Sequence, residues 1–293
     1  MTVWQKFWAW KKKKPKNFIE EWVDAIITVV PAVFLIKTFL FGLYQVPTCS
    51  MEHTLLVGER FFADKLTPYF EKYMPYQRGE IIAMNSPIYK YSENIFVNTY
   101  ERYIDWNIEN WTKRIVGLPG EHIVGKIEDG KPVIYINDQK LDEPYVNEYP
   151  VVAIIKGNQP VHRTYVPDVP LDQQPYYRFN QVEFTRSKQW HQMHDQEFLG
   201  QPQTPTDGRD GKSLDEFDVH LGPDEYWCMG DNRKASYDSR GWGPLKKHMI
   251  HARILFRIFS MDTDNSWIIF DFIFHPIRSL KQIRWSRCLQ WVK

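Results

Sequence analysis

The chain has 293 residues and a formal net charge of +1, which allows one large domain or two small ones. So even a balance provides no overall field for nucleic acid, and neither a phosphate loop nor a dinucleotide fingerprint occurs. Cys49, Cys228 and Cys288 are odd in number and widely spaced, which suggests neither a disulfide framework nor a metal or redox pair.

The first nineteen residues carry Lys6, Lys11, Lys12, Lys13, Lys14 and Lys16, with no acidic residue before Glu20. The run from Trp22 to Tyr44 is mostly apolar. About 20 apolar residues cross a hydrocarbon core, so residues 20–44 are expected to form a transmembrane anchor, kinked at Pro31. Lys37 would cost about 2.5–3.5 kcal/mol at the centre of such a helix, so it belongs near the outer end. The lysine-rich segment 1–19 is expected in the cytoplasm, and residues 45–293 outside as an extracytoplasmic domain. A cleaved leader is disfavoured, because its apolar core would be shorter and would end in an Ala-x-Ala-like site. Aromatic residues make up 16% of the chain, including twelve Trp, a composition suited to a membrane interface.

Short β-rich runs follow at 80–84, 122–127, 132–136, 225–229 and 252–258. Glu128-Asp129-Gly130-Lys131 between two of them predicts a hairpin. Few helical periods occur outside the termini, so the fold class is mainly β and antiparallel. Residues 121–222 are expected to hold an accessory insertion, whose part from Lys156 to Asp218 is rich in Pro and Gln and poor in pattern. Near the end, 267–274 is too short to span a bilayer. After Pro276, Ile277, Leu280, Ile283, Cys288 and Trp291 approximate one helical face flanked by Arg278, Lys281, Arg284, Arg287 and Lys293. That face suits either a lipid surface or the protein core.

Three segments carry chemistry. Ser50, in Val46-Pro47-Thr48-Cys49-Ser50-Met51, lies six residues past Tyr44. A serine hydroxyl needs a base to act as a nucleophile, and alone it reads as a turn residue. Lys113 has Trp111 on the same side of its strand, with Ile115, Val116 and Leu118 following. A lysine serves as a base near neutral pH only where burial disfavours its ammonium form; alone it reads as an edge-strand lysine. Gly230 to Gly243 is dense in Asp, Asn, Arg, Ser and Gly. Ser236 could hold the amine, while Asp238 with Arg240, and Asp231 with Arg233, could pair to stiffen the loop; alone they read as surface ion pairs of little worth.

Together, and in this order after a membrane anchor, these segments resemble three sequence blocks of bacterial type I signal peptidases. Arg78-Gly79-Glu80-Ile81-Ile82 is similar to a fourth. The resemblance covers about residues 34–257 with the middle insertion unmatched. It implies an antiparallel β catalytic domain with Ser50 as nucleophile and Lys113 as general base. Ser236 would orient the lysine, and the Ser50 N–H and Thr48 hydroxyl would bind the oxyanion. Asp238 and Arg240 would be structural. Met51 and Met229 are expected to line pockets for small substrate side chains. The implied substrates are preprotein signal peptides with small residues at the −1 and −3 positions. The expected setting is the outer face of a bacterial plasma membrane, with export machinery as a possible partner. Cys49 stands where the family often has a small residue, and His53 where it often has Pro. Cys228 matches a position near the family's substrate pocket, which brings it toward Cys49.

Other readings weighed are a self-cleaving repressor-type domain, against which the apolar span argues, an inactive membrane-anchored scaffold, and a processing peptidase for one secreted partner. No cofactor and no metal are expected. His191 and His194 have ligand-like spacing, but no third donor is evident beside them.

Overall fold

The computed structural model describes residues 2–103, 110–147, 151–156, 159–164, 214–263 and 267–292. Helix α1 (Val3–Lys12) and helix α2 (Phe18–Leu35) each begin with a capping box, Thr2 with Gln5 and Asn17 with Glu20. In each box the side chains satisfy backbone N–H groups that the first turn leaves open. Lys11 and Lys16 reach Asp24 at 2.9 and 2.5 Å, so the basic segment folds back onto the start of α2.

A π-helical turn, Ile36–Leu40, extends α2. Phe18–Leu40 is the one helix among the described residues long and apolar enough to cross a membrane, with a mean hydropathy of 2.0. Its 23 residues rise about 35 Å, against a hydrocarbon core about 30 Å thick. Hardly any of it is covered by protein. The expected anchor over 20–44 is corrected at its outer end. Phe41–Gln45 is strand β1, paired antiparallel with β2 (Glu59–Asp64) from Phe41↔Asp64 to Gln45↔Arg60. Hydropathy does not separate helix from strand here; the ladder with β2 does, by taking up the β1 backbone groups.

The remaining elements are α3 (Thr67–Phe70), β3 (Ile81–Asn85), α4 (Ile95–Tyr103), β4 (Asn110–Gly117), β5 (His122–Glu128), β6 (Lys131–Ile136), β7 (Gln139–Lys140), β8 (Val151–Lys156), β9 (Gln159–Thr164), β10 (Phe217–His220), β11 (Glu225–Met229), α5 (Ser239–Trp242), β12 (Leu245–Lys246), β13 (Ile250–Ser260), α6 (Ile268–Phe274), α7 (Pro276–Gln282) and β14 (Gln290–Trp291). The main sheet runs β1-β2-β13-β3-β4-β11-β12, with β14 also on β13. A second sheet runs β10-β5-β6-β7, and β8 pairs with β9. Every pairing among the described residues is antiparallel, as the strand-rich pattern predicts. The predicted hairpin joins β5 to β6. Asp129 and Gly130 both take positive φ (50° and 74°), which a primed two-residue turn requires.

Strand β3 is buried on both faces. Ile81 and Ala83 pack with Met51, Leu55 and Phe61, while Ile82 and Met84 pack with Ile115, Cys228 and Tyr226. A third cluster joins Val116 and Trp227 of the main sheet to Ile123 and Ile134 of the second. The part of the expected insertion formed by β5, β6 and β10 is therefore continuous with the core.

The C-terminal segment does not form the amphipathic helix considered from sequence. Helix α7 stops at Gln282, and Ile283 bridges to Met261. Arg284 then turns to Asp262 at 2.8 Å, and Arg287 to Glu59 at 2.6 Å. Glu59 is fully buried and also accepts from Arg257 at 2.9 Å, Ser260 at 2.9 Å and the Leu56 N–H at 3.0 Å. Arg284 and Arg287 are thus drawn inward by buried carboxylates, while Arg278 and Lys281 stay exposed. Glu59→Ala, which leaves Arg257 and Arg287 facing each other, should lower stability by about 3–5 kcal/mol. Denaturant unfolding of the detergent-solubilised protein measures this; an unchanged midpoint would count against a structural role for Glu59.

Candidate active site

Ser50 and Lys113 are brought together from 63 residues apart. Strand β4 places Lys113 opposite Ile82, between Trp111 and Ile115 on the same side. Loop 46–58 carries Ser50 up to it. Lys113 Nζ lies 3.1 Å from Ser50 Oγ and donates its other contact to Thr112 O at 3.2 Å. The lysine side chain is buried, with the Trp111 ring centroid 6.0 Å from Nζ. Burial pulls the Lys113 pKa below the ordinary lysine value of 10.5. The Asp238 carboxylate acts in the opposite direction, and Arg240 opposes Asp238. Thr48 Oγ1 sits 3.4 Å from Ser50 Oγ. Among the described residues no acceptor takes the Ser50 N–H.

The loop after β11 clamps the serine's backbone. The Asn232 N–H donates to Ser50 O at 3.1 Å, and Asn232 Nδ2 donates to Cys49 O at 3.2 Å. Asn232 is fully buried. Gly230 lies against both Ser50 and Ser236: a Cβ there would stand 2.5 Å from Ser50 O and 2.3 Å from Ser236 Oγ.

Asp238 and Arg240 form a two-pronged pair at 2.8 Å for each prong. Asp238 also accepts the Gly230 N–H at 3.0 Å, and Arg240 also reaches Asp215 at 2.6 Å. Burial pushes the Asp238 carboxyl up, but Arg240 outweighs it and holds the group below the usual carboxylate value. Burial pushes the Cys228 thiol up.

Three expectations are corrected. Asp231 does not pair with Arg233. It takes both prongs of Arg114, at 2.7 and 2.8 Å, while Arg233 pairs with Glu143 at 2.6 Å. Met229 does not line the cleft: neighbours along a strand face opposite ways, and Cys228 is the one packed with Ile115 on the Lys113 side. The Ser236 hydroxyl does not contact Lys113; its Oγ is shielded over Gly230 and makes no hydrogen bond among the described residues. All three cysteines are free thiols, so Cys49 and Cys228 are not bonded. Cys49 does not take positive φ. His191 and His194 lie outside the described residues.

Sequence reading missed Asn232, Arg114 and Glu143 as parts of the site's frame. Asn232 stood within a recognised block but without a partner. A cleft of about 1150 Å³ opens over the pair, lined by Tyr44, Thr48, Ser50, Met51, Trp111 and Lys113 among others.

These features define a class: an antiparallel β protein with a serine hydroxyl held against a buried lysine amine at an open cleft. The sequence model described as "Signal peptidase, peptidase S26" matches residues 19–259, and the chain belongs to that family. A signal peptidase I of Bacillus licheniformis is 33% identical over 47% of this chain, which spans 61% of that relative's length. One of Bacillus amyloliquefaciens is 28% identical over 85% of this chain and 92% of its own. A signal peptidase I of Enterococcus faecalis V583, solved by crystallography, is 21% identical over 61% of this chain and 96% of its own, with a TM-score of 0.28, too low to bear on the fold.

Gly230→Ala should displace Ser50 or Ser236, because neither neighbouring atom can stay where it is. Acylation of Ser50 by a serine-directed inhibitor is expected to slow by roughly a hundredfold, the scale of a 1 Å misplacement. Mass spectrometry of labelling against time gives the rate, and a rate equal to the parent's would contradict the clamp.

Proposed function

We propose that this chain is a membrane-bound serine endopeptidase that removes N-terminal signal peptides from exported preproteins. The observation that carries the reading is the 3.1 Å approach of a buried Lys113 amine to the Ser50 hydroxyl. The neutral amine accepts the Ser50 proton as Oγ attacks the scissile carbonyl carbon. The resulting oxyanion takes hydrogen bonds from the Ser50 N–H and the Thr48 hydroxyl. Each such donor is commonly worth about 10²–10³ in rate. Lys113 then gives its proton to the leaving amine as the C–N bond breaks, leaving an ester on Ser50. Water, deprotonated by Lys113, attacks that ester; the product leaves as a carboxylic acid and Ser50 recovers its proton.

The tether supports the substrate class. Ser50 lies ten residues past Leu40, so it stands at most about 35 Å along the chain from the end of the apolar helix. A site so tied meets peptides whose own apolar segment is in the bilayer. The lysines of segment 1–19 favour a cytoplasmic N-terminus, which supports a cleft on the outer face of a plasma membrane. Met51 and the neighbouring cleft wall are assigned to accept small side chains at −1 and −3. Export machinery that delivers preproteins is the natural partner. Residues 1–19, 20–40 and 41–293 then form the basic tail, the anchor and the catalytic unit.

Ser50→Ala and Lys113→Met should each lower cleavage of a model preprotein by about 10⁴-fold or more while the fold persists. Gel assay, circular dichroism and mass spectrometry of the new N-terminus measure both points; continued processing by either variant would end this reading. The rate should also rise with pH through the Lys113 pKa and level off below 10.5, because burial lowers that pKa and the neutral form is the base. A rate still climbing beyond 10.5 would point to a solvated lysine. Stability has the same sign: the folded state binds fewer protons at Lys113 than the unfolded chain, so this contribution is complete above 10.5 and shrinks as pH falls toward the folded value.

A further inference from the structure

A cluster of ligand-type side chains lies outside the cleft, on the second sheet. His122 begins β5 and His220 ends β10, and the two are direct cross-strand partners. Asp218 precedes His220 by two residues, so it shares that face. The two imidazole rings stack with centroids 4.0 Å apart and planes 10° from parallel. His122 Nε2 lies 2.6 Å from Asp218 Oδ1. One donor atom from each of the three residues falls within 4.8 Å of the other two. Asp218 and His220 are exposed, and His122 is half-buried.

We propose that His122, Asp218 and His220 bind one divalent first-row transition ion of the zinc class, through two imidazole nitrogens and one carboxylate oxygen, with water as the fourth ligand. Bonds of about 2.0–2.2 Å in tetrahedral array set donor atoms about 3.3–3.5 Å apart. The donors here lie between 2.6 and 4.8 Å from one another, on either side of that spacing. The proposal requires only side-chain rotation to close the difference. The backbone is already held by the β5–β10 ladder, and Asn137 Oδ1 accepts the His122 N–H at 3.0 Å. An ion would take the place of the proton shared by His122 and Asp218. Two imidazoles and a carboxylate favour zinc, cobalt, nickel or copper over magnesium or calcium, which prefer oxygen ligands. The site lies on the second sheet, its three residues are not among those lining the cleft over the serine–lysine pair, and it has no part in the hydrolytic steps. Its effect is to staple β10 to β5: an ion that binds the folded form alone raises its stability.

The test uses tag-free full-length protein in detergent, stripped with chelator. Zinc is titrated by calorimetry and cobalt by its visible absorption. His122→Ala, His220→Ala and the double variant serve as comparisons, with magnesium as control. One equivalent of zinc should bind and raise Tm. Each single variant should weaken binding by roughly tenfold or more, and the double variant should lose both binding and the Tm rise. Tm values of the metal-free proteins report whether each variant folds, and exposed His220 is the substitution least able to disturb the fold. Zinc binding and a Tm response unchanged in the double variant would overturn the proposal, as would the absence of saturable binding to the parent protein.

Discussion

A lysine amine kept from water beside a serine hydroxyl is the constraint to which the rest of this structure answers. Water would hold the amine as an ammonium ion, so the protein encloses it with Trp111, Ile115 and the Ile82 side of β3. That enclosure needs a central strand covered on both faces, which β3 is, and a loop able to bring Ser50 to the amine without opening it to solvent. Asn232 does the second task by holding two successive backbone carbonyls, Cys49 and Ser50. The serine's position is therefore set by a residue of a loop far along the chain.

Charge is buried around this centre in an ordered way. Arg114 with Asp231, Arg240 with Asp238 and Asp215, Arg233 with Glu143, and Arg257 and Arg287 with Glu59 all sit inside or at the margin of the core. Such pairs add little net stability, because desolvation offsets their attraction, but removal of one partner is costly. Their value here is geometric. Guanidinium forks fix the loop after β11 and the loop before β2 in one arrangement each, and both loops frame Ser50. The Asp238 carboxylate also favours the charged form of Lys113, and its pairing with Arg240 limits that pull.

The helix and the β domain meet without a linker. The π-helical turn ends at Leu40, and β1 begins at Phe41 as an edge strand of the main sheet. A sheet edge leaves backbone groups free to pair with an extended chain. Tyr44 and Thr48 line the cleft from this side, and Trp111 lines it from β4.

Much of the scaffold was legible in the sequence. Alternation and β-branched residues marked five strands within a few residues of their observed ends, and Asp129-Gly130 marked a turn. Hydropathy marked the anchor but carried it to 44, because an apolar strand and an apolar helix look alike by that measure; pairing with β2 decided that Phe41–Gln45 is extended. The C-terminal periodicity misled for a related reason, since the buried Glu59 carboxylate that draws Arg287 inward lies 228 residues away. Ser50, Lys113 and the loop from Gly230 were recognisable by their order as sequence blocks. Their contact was expected from the family resemblance rather than from either residue alone. The true partners of Asp231 and Arg233, the inward turn of Met229 and the meeting of His122 with Asp218 and His220 were not legible, because register and packing between distant strands decide them. The sequence by itself determined where the chain is apolar, where it alternates and which reactive side chains it carries. Tertiary structure alone decided which of those side chains share a dry space, and dryness is what turns a lysine into a base.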